Sequence, residues 1–256
     1  MVMIISLSNP LIKQARALRQ KKTRAETGLF LVEGIHHVGE AVEAGWDIQS
    51  VFYAPDLLTS SFAREMIARL PISAQSVSIP VMESLADKEN PQGILAVVHQ
   101  RNTTLANIKP FTRAAALVSP QDPGNVGTIL RTLDAVGVDT LFLIEGGVEL
   151  YHPTVVRASM GALFWNTVLQ TSFNEFSTWA RKENYQLIGT SAKADVDHKT
   201  LVPQVPWILI LGNEQKGLTR EQTAACDVTV SLPMRGRASS LNLAVAAGVL
   251  LYQFTG

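Results

Sequence analysis

The sequence predicts an α/β protein built in two parts, and three observations carry that prediction. Strand-like apolar runs alternate with amphipathic helical segments along nearly the whole chain. The runs of the second half, "AAALVS", "TLFLIEG" and "PWILILG", are apolar without alternation, as suits parallel strands covered on both faces. A polar stretch with a proline and no period, "RNTTLANIKPFT" at 101–112, interrupts the alternation. A chain of 256 residues leaves room for one or two domains at about 150 residues each.

In the first hundred residues, "PLIKQARALRQ" reads as a helix, "LFLVEG" as a strand, "IHHVGEAVEAG" as a helix and "IQSVFYAP" as a strand. Helix "SFAREMIARL", a short strand "SVSIP", a polar turn and strand "GILAVVHQ" follow. The expected division is a domain over 1–105, a linker over 106–112 and a second domain over 113–256. In the second domain, strand "AAALVS" leads into the turn and helix "PGNVGTILRTLDAVG", then strand "TLFLIEG" and the segment "HPTVVRASMGAL". A short strand near "NTVLQ", helix "FNEFSTWARKEN", strand "YQLIGTSA", strand "PWILIL" and strand "CDVTVSLPM" come next. A last helix starting near Ser239 is apolar or small on nearly all sides, so it is expected in a core or at a subunit interface.

Composition narrows the classes. Lys plus Arg equals Asp plus Glu at 22 each, so no whole-molecule field draws in a polyanion, and any such partner needs a local patch. Cys226 is the single cysteine, which excludes an intrachain disulfide framework and fits a reducing cytoplasm. The start "MVMIISLSNP" has no basic n-region, and the apolar stretch 241–254 is too short to span a bilayer.

In open α/β sheets, ligands sit beyond the carboxyl ends of strands. Four strand ends here carry loops of small and polar residues: "SPQDPGNVG", "GTSAKAD", "LGNEQKG" and "LPMRGRASSLN". None is a G-x-G-x-x-G fingerprint or a P-loop, so the dinucleotide and triphosphate signatures are absent. Backbone groups framed by small residues suit a neutral adenosine moiety better. In the first loop, Val126, Ile129, Leu130, Leu133 and Val136 form an apolar helix face, and a helical wheel sets Gly124, Gly127 and Arg131 together away from it. In the last loop, Ser239 or Ser240 is a candidate N-cap, while Asn242 carries an amide that needs partners if buried.

Taken together and in order, "DPGNVGTILRT", "LGNEQKGL" and "SLPMRGRASSLNLAVAAGVLLY" resemble the three motifs of the SpoU/TrmH family of RNA ribose methyltransferases. The stretch "SNPLIKQARALRQKKTRAETGLFLVEGIHHVGEAVEAG" resembles that family's substrate-binding domain. The resemblance implies a knotted (trefoil) SPOUT-type parallel-sheet domain at the C-terminus, preceded by a smaller ribosomal-protein-like α/β RNA-binding domain. It also implies S-adenosylmethionine as cofactor, a homodimer formed through the C-terminal domain, and ribosomal RNA as substrate. By the same resemblance Arg131, Asn125, Glu214, Ser240 and Asn242 are the catalytic set. The cofactor lies on Thr190, Ser191, Leu211, Gly212, Asn213, Gly217, Leu232, Met234, Ser240 and Leu241. Gln215 stands where a glycine is common.

Lys13, Arg16, Arg19, Lys21, Lys22 and Arg24 cluster without an acid among them and are read, with Arg235 and Arg237, as RNA contacts. Unadorned, such a cluster is a solvated helix face. His36 and His37 are read as structural, and no metal is expected, since no His, Cys or Asp group has ligand spacing. The other functions compatible with the sequence are a transfer RNA 2′-O-methyltransferase, a non-catalytic RNA-binding or ribosome-assembly protein, and a metabolic enzyme using an adenosine-containing cofactor.

Overall fold

The computed structural model describes residues 3–58, 60–70, 74–87 and 91–256. The chain begins with α1 (Pro10–Ala17), α2 (Lys21–Thr27), β1 (Leu29–Glu33), α3 (Ile35–Glu43), β2 (Ile48–Tyr53), α4 (Ser61–Arg69), β3 (Gln75–Ser76), α5 (Ile79–Leu85) and β4 (Ile94–His99). It continues with β5 (Arg113–Val118), α6 (Pro123–Ala135), β6 (Thr140–Ile144), α7 (Pro153–Ala158), β7 (Thr167–Thr171), α8 (Phe173–Lys182) and β8 (Gln186–Thr190). It closes with β9 (Val196–Asp197), β10 (Trp207–Leu211), α9 (Arg220–Ala224), β11 (Val228–Ser231) and α10 (Leu243–Thr255).

These elements form two compact units, one of residues 1–101 with 151–164, the other of 102–150 with 165–256. The first holds a four-stranded sheet in the order β1-β4-β2-β3, with β4 antiparallel to β1 and β2. Asn9 caps α1 by accepting from Leu11 N at 2.9 Å, and Pro10 occupies the first turn, where its missing N–H costs nothing. Ile12 and Ala15 of α1 and Leu18, its C-cap, pack with Val81, Met82 and Leu85 of α5 over Phe52 and Leu95. The sequence reading of "SVSIP" as a strand followed by a polar turn is corrected here. Only Gln75–Ser76 pairs as a strand, and Ile79 and Pro80 already open α5 after Ser78.

The segment 151–164 lies between β6 and β7 in the sequence yet packs within this first unit. The Tyr151 ring sits 4.5 Å from that of Phe30, and its hydroxyl donates to Arg101 O at 2.8 Å while accepting from Arg101 N at 2.9 Å. Burial pushes the Tyr151 phenol up to about 12, against the opposing hydrogen bond and charge of Arg101. Trp46 Nε1 donates to Phe164 O at 2.8 Å. The histidines keep structural company: His37 Nε2 lies 3.2 Å from Arg157 O and His36 Nε2 3.0 Å from Met160 O.

The second unit is a seven-stranded sheet in the order β7-β6-β5-β10-β8-β11-β9, every neighbouring pair parallel. Strands β6 and β10 are buried at every position, which accounts for their uninterrupted apolar sequence. One face packs against Phe173, Phe176 and Ala180 of α8. Trp207 of β10 meets Phe254 of α10 edge-on at 6.1 Å. The polar segment read as a linker packs onto this unit: Leu105, Ile108 and Phe111 lie against its core, and Phe111 stacks on Tyr185 at 4.6 Å. The chain builds β5, β6 and β7 toward one edge, then returns to place β10 and β8 on the other side of β5. Such a reversal opens a crevice at the carboxyl ends of the central strands.

Candidate active site

Three of the four loops beyond the carboxyl ends of β5, β8, β10 and β11 are joined by one polar network. After β10 the chain makes a closed turn. Asn213 N donates to Gly217 O at 3.2 Å and Gly217 N returns a bond to Asn213 O at 2.8 Å. Asn213 Oδ1 also accepts from the backbone of Gln215 and Lys216, at 3.0 and 3.1 Å. A Cβ on Gly212 would lie 2.3 Å from the Gly217 carbonyl carbon, so this position admits no side chain. The Asn213 side chain and Gly217, at φ +66, close the turn, which leaves Gln215 free to depart from glycine.

The turn is tied to the loop after β5. Asn213 Nδ2 donates to Ser119 O at 2.8 Å. The Glu214 carboxylate accepts from Gln121 N at 3.1 Å, from Asp122 N at 3.3 Å and from Asn125 Nδ2 at 3.3 Å. Asn125, buried in the first turns of α6, accepts from Asn242 Nδ2 at 2.9 Å. Asn242 Oδ1 in turn takes Ala244 N at 2.9 Å and Val245 N at 3.3 Å, capping α10. A carboxylate only accepts, an amide does both, and a helix start only donates, so the chain of bonds has one consistent direction. The helix therefore begins at Leu243 with Asn242 as its cap, and the N-cap reading of Ser239 or Ser240 is corrected.

Beside the network lies a cleft of about 720 Å³. All ten residues that the family resemblance implied for the cofactor line it. A second cleft of about 580 Å³ is lined by Gln121, Asp122, Asn125, Ser240 and Asn242. Glu214, Gln215, Ser240, Leu241 and Leu243 border both. Thr190 Oγ1 is committed to Ile210 O at 3.0 Å, whereas the Ser240 hydroxyl is exposed and makes no hydrogen bond among the described residues.

The model of the SpoU rRNA Methylase family matches residues 113–252. The chain belongs to this family. A model of the MRM3-like substrate binding domain matches residues 9–96. The chain is 33% identical to the 23S rRNA (uridine(2479)-2′-O)-methyltransferase of Streptomyces viridochromogenes, over 97% of this chain and 90% of that one. It is 29% identical to the 23S rRNA (guanosine(2553)-2′-O)-methyltransferase RlmP of Bacillus subtilis over the full length of both. Among solved structures, the AdoMet-bound rRNA methyltransferase from Sinorhizobium meliloti superposes with a TM-score of 0.89 at 33% identity, covering 98% of this chain and 96% of that one.

Other residues suggested for this SpoU chain fall outside the clefts. Arg131 is exposed on α6, lines neither cleft and makes no hydrogen bond or ion pair among the described residues. Gly127 is buried, so the expectation that Gly124, Gly127 and Arg131 share one open face is corrected: the exposed positions of α6 are Thr128, Arg131, Asp134 and Ala135. Arg235 and Arg237 are exposed in the loop after β11 and line neither cleft.

The basic N-terminal cluster divides. Lys13, Lys21 and Lys22 are exposed, Arg16 is half-buried, and Lys22 lies 3.8 Å from Glu26. Arg19 donates to Ala86 O. Arg24 is 2% exposed and donates to Leu18 O and Arg19 O, both at 2.8 Å. Its assignment to RNA is corrected, because its guanidinium is spent on the carbonyls at the end of α1.

Sequence reasoning missed the backbone N–H groups of Gln121 and Asp122 that hold Glu214; the only signal was the Asp-Pro helix start. It also missed the outward stripe of α10, where Val245, Val249 and Tyr252 are 52%, 42% and 62% exposed. Among the described residues no helix is long and apolar enough to cross a membrane, and no group of His, Cys, Asp or Glu is placed to hold a metal ion.

Proposed function

We propose that this chain is an S-adenosylmethionine-dependent 2′-O-ribose methyltransferase of 23S ribosomal RNA, acting as a cytoplasmic homodimer. The observation that carries the reading is the hydrogen-bonded line from Glu214 through Asn125 to Asn242. It draws three motifs, distant in sequence, to the border of two adjoining clefts. The relatives named for 23S 2′-O-methylation, matched over nearly the whole chain, support the substrate.

The larger cleft fits the methyl donor by size and by its lining of backbone and small side chains around Thr190, Gly212, Leu232 and Leu241. When bound there, S-adenosylmethionine supplies an already activated methyl group. The protein's tasks are then to orient the ribose 2′-oxygen within about 3–3.5 Å of the reacting carbon and to assist the departing proton. Glu214 holds the backbone N–H groups of Gln121 and Asp122 and the Asn125 amide, so its part in this reading is to position the loop after β5. Asn125 and Asn242 are positioning residues for the same reason. Ser240 lines both clefts, and its hydroxyl makes no hydrogen bond among the described residues, which supports giving it the contact with the ribose.

Arg131 stabilises the developing oxyanion or clamps the adjoining phosphate, since a guanidinium stays protonated in proteins. It reaches the clefts in the dimer. The apolar stripe of Val245, Val249 and Tyr252 lies on α10, which packs against α6; this supports a dimer paired through these helices, to which we assign the use of Arg131 from one protomer at the clefts of the other.

The test is incubation of the protein with methyl-labelled donor and 23S ribosomal RNA from cells lacking the gene. The expected product is one alkali-resistant, ribose-methylated dinucleotide in 23S RNA. Label on transfer RNA alone, or on no RNA, overturns the reading.

A further inference from the structure

The cleft assigned to the methyl donor carries more positive charge than that ligand can use. Lys193 from the loop after β8, Lys216 from the turn after β10 and Arg220 at the start of α9 all line it. All three are exposed, and their side chains make no hydrogen bond or ion pair among the described residues. Glu214 is the one acidic residue of the lining, and it is already held by backbone donors. Asp195 and Glu221, close in sequence, do not line the cleft.

The donor is itself a net cation at neutral pH, with one carboxylate against an ammonium and a sulfonium. By Coulomb's law three unpaired cations around such a ligand oppose its binding more than one carboxylate repays. The complementary partner is a polyanion. The chain has no net charge, so phosphates must be held by local groups of this kind.

We propose that Lys193, Lys216 and Arg220 form a phosphate-binding rim that seats the RNA backbone across the mouth of the donor cleft. This rests on the RNA-methyltransferase reading and adds a second contact to that of the N-terminal unit. The rim sets an order of events. The donor enters an open cleft, the RNA then covers it and neutralises the rim, and each ligand raises the affinity of the other by the same factor.

The experiment compares the full-length wild type with the triple variant Lys193→Gln/Lys216→Gln/Arg220→Gln. Binding to 23S RNA and to polyuridylate is measured across a salt series, and donor binding is measured by calorimetry with and without RNA. The expected result is a log–log salt slope shallower by about 2, with RNA binding about tenfold weaker or more near physiological salt. Donor affinity without RNA should be unchanged or higher, and its enhancement by RNA reduced. An unchanged slope on both RNAs overturns the rim. Weaker donor binding with intact RNA binding also overturns it and gives the cations to the donor's carboxylate. A wild type that binds polyuridylate but leaves 23S RNA unmethylated refutes the ribosomal substrate, while the slopes still decide the rim.

Discussion

The corner between α1 and α2 and the outer face of α6 each carry an arginine that the sequence marks as functional, and they put it to opposite uses. Arg24 is folded into the first unit, its guanidinium closing two backbone carbonyls at the end of α1. Arg131 is exposed, and its guanidinium makes no hydrogen bond or ion pair among the described residues. The difference lies in what surrounds them. A helix end leaves carbonyls that must be met once buried, and a long cation reaching back five or six residues meets them. The surface of α6 leaves no such debt, so its cation is available to a partner molecule.

Breaking the comparison at α6 has the largest expected effect. Arg131→Ala should lower methyl transfer about 100-fold or more while leaving the thermal midpoint in place, if the guanidinium stabilises transition-state charge. Single-turnover rates and a melting curve check both halves. Equal turnover would make Arg131 an ordinary surface residue.

At the α1–α2 corner the pattern should invert. Arg24→Met leaves two carbonyls unmet, at about 1–3 kcal/mol for each acceptor that stays dry, and should lower the melting temperature by several degrees. Its effect on RNA affinity should be small under conditions where the variant is folded. A third and smaller effect separates Arg24 from its neighbours. Lys21→Gln/Lys22→Gln should leave the melting temperature unchanged but make the salt dependence of RNA binding shallower by about 1.5. If the slope stays constant, the exposed lysines are merely solvated.

The smallest effect concerns Cys226, where burial works on a titratable group in the second unit. Burial, and to a lesser degree the charge of Asp227, pushes its thiol from 9.0 up to about 11. At pH 8 its native thiolate is therefore about 100-fold scarcer than that of an unperturbed thiol, and alkylation should be slow until denaturant is added. The unfolded chain ionises first, so stability is full below pH 9 and declines as pH rises through 9 toward 11.

The strands of the second unit were legible because both faces are covered and the apolar runs are continuous, as in β6 and β10. The three motif loops were legible as small and polar stretches at strand ends. What joins them was not. Glu214 and Asn125 stand 89 residues apart, and Asn125 and Asn242 stand 117 apart, so no local pattern encodes either bond. In "ASSLN" three residues are good helix caps, and only the reach from Asn242 to Asn125 selects the third. Helix α5 was hidden because Val77 and Ile79 read as β-formers on either side of Ser78, the N-cap, while Pro80 sits in its first turn. The wheel that grouped Gly127 with Arg131 was arithmetically fair, yet Gly127 is buried.

The excursion of 151–164 bears on how this protein can be divided. Cutting at the polar segment near 101–112 would release a piece that still carries Tyr151, Val155, Val156, Leu163 and Phe164, all buried in the whole chain within the first unit. Freed of Phe30 and Trp46, that strip becomes a sticky flank on an otherwise well-formed sheet. A soluble catalytic fragment therefore needs the strip replaced by a short polar bridge between residues 150 and 165, and not only a new first residue.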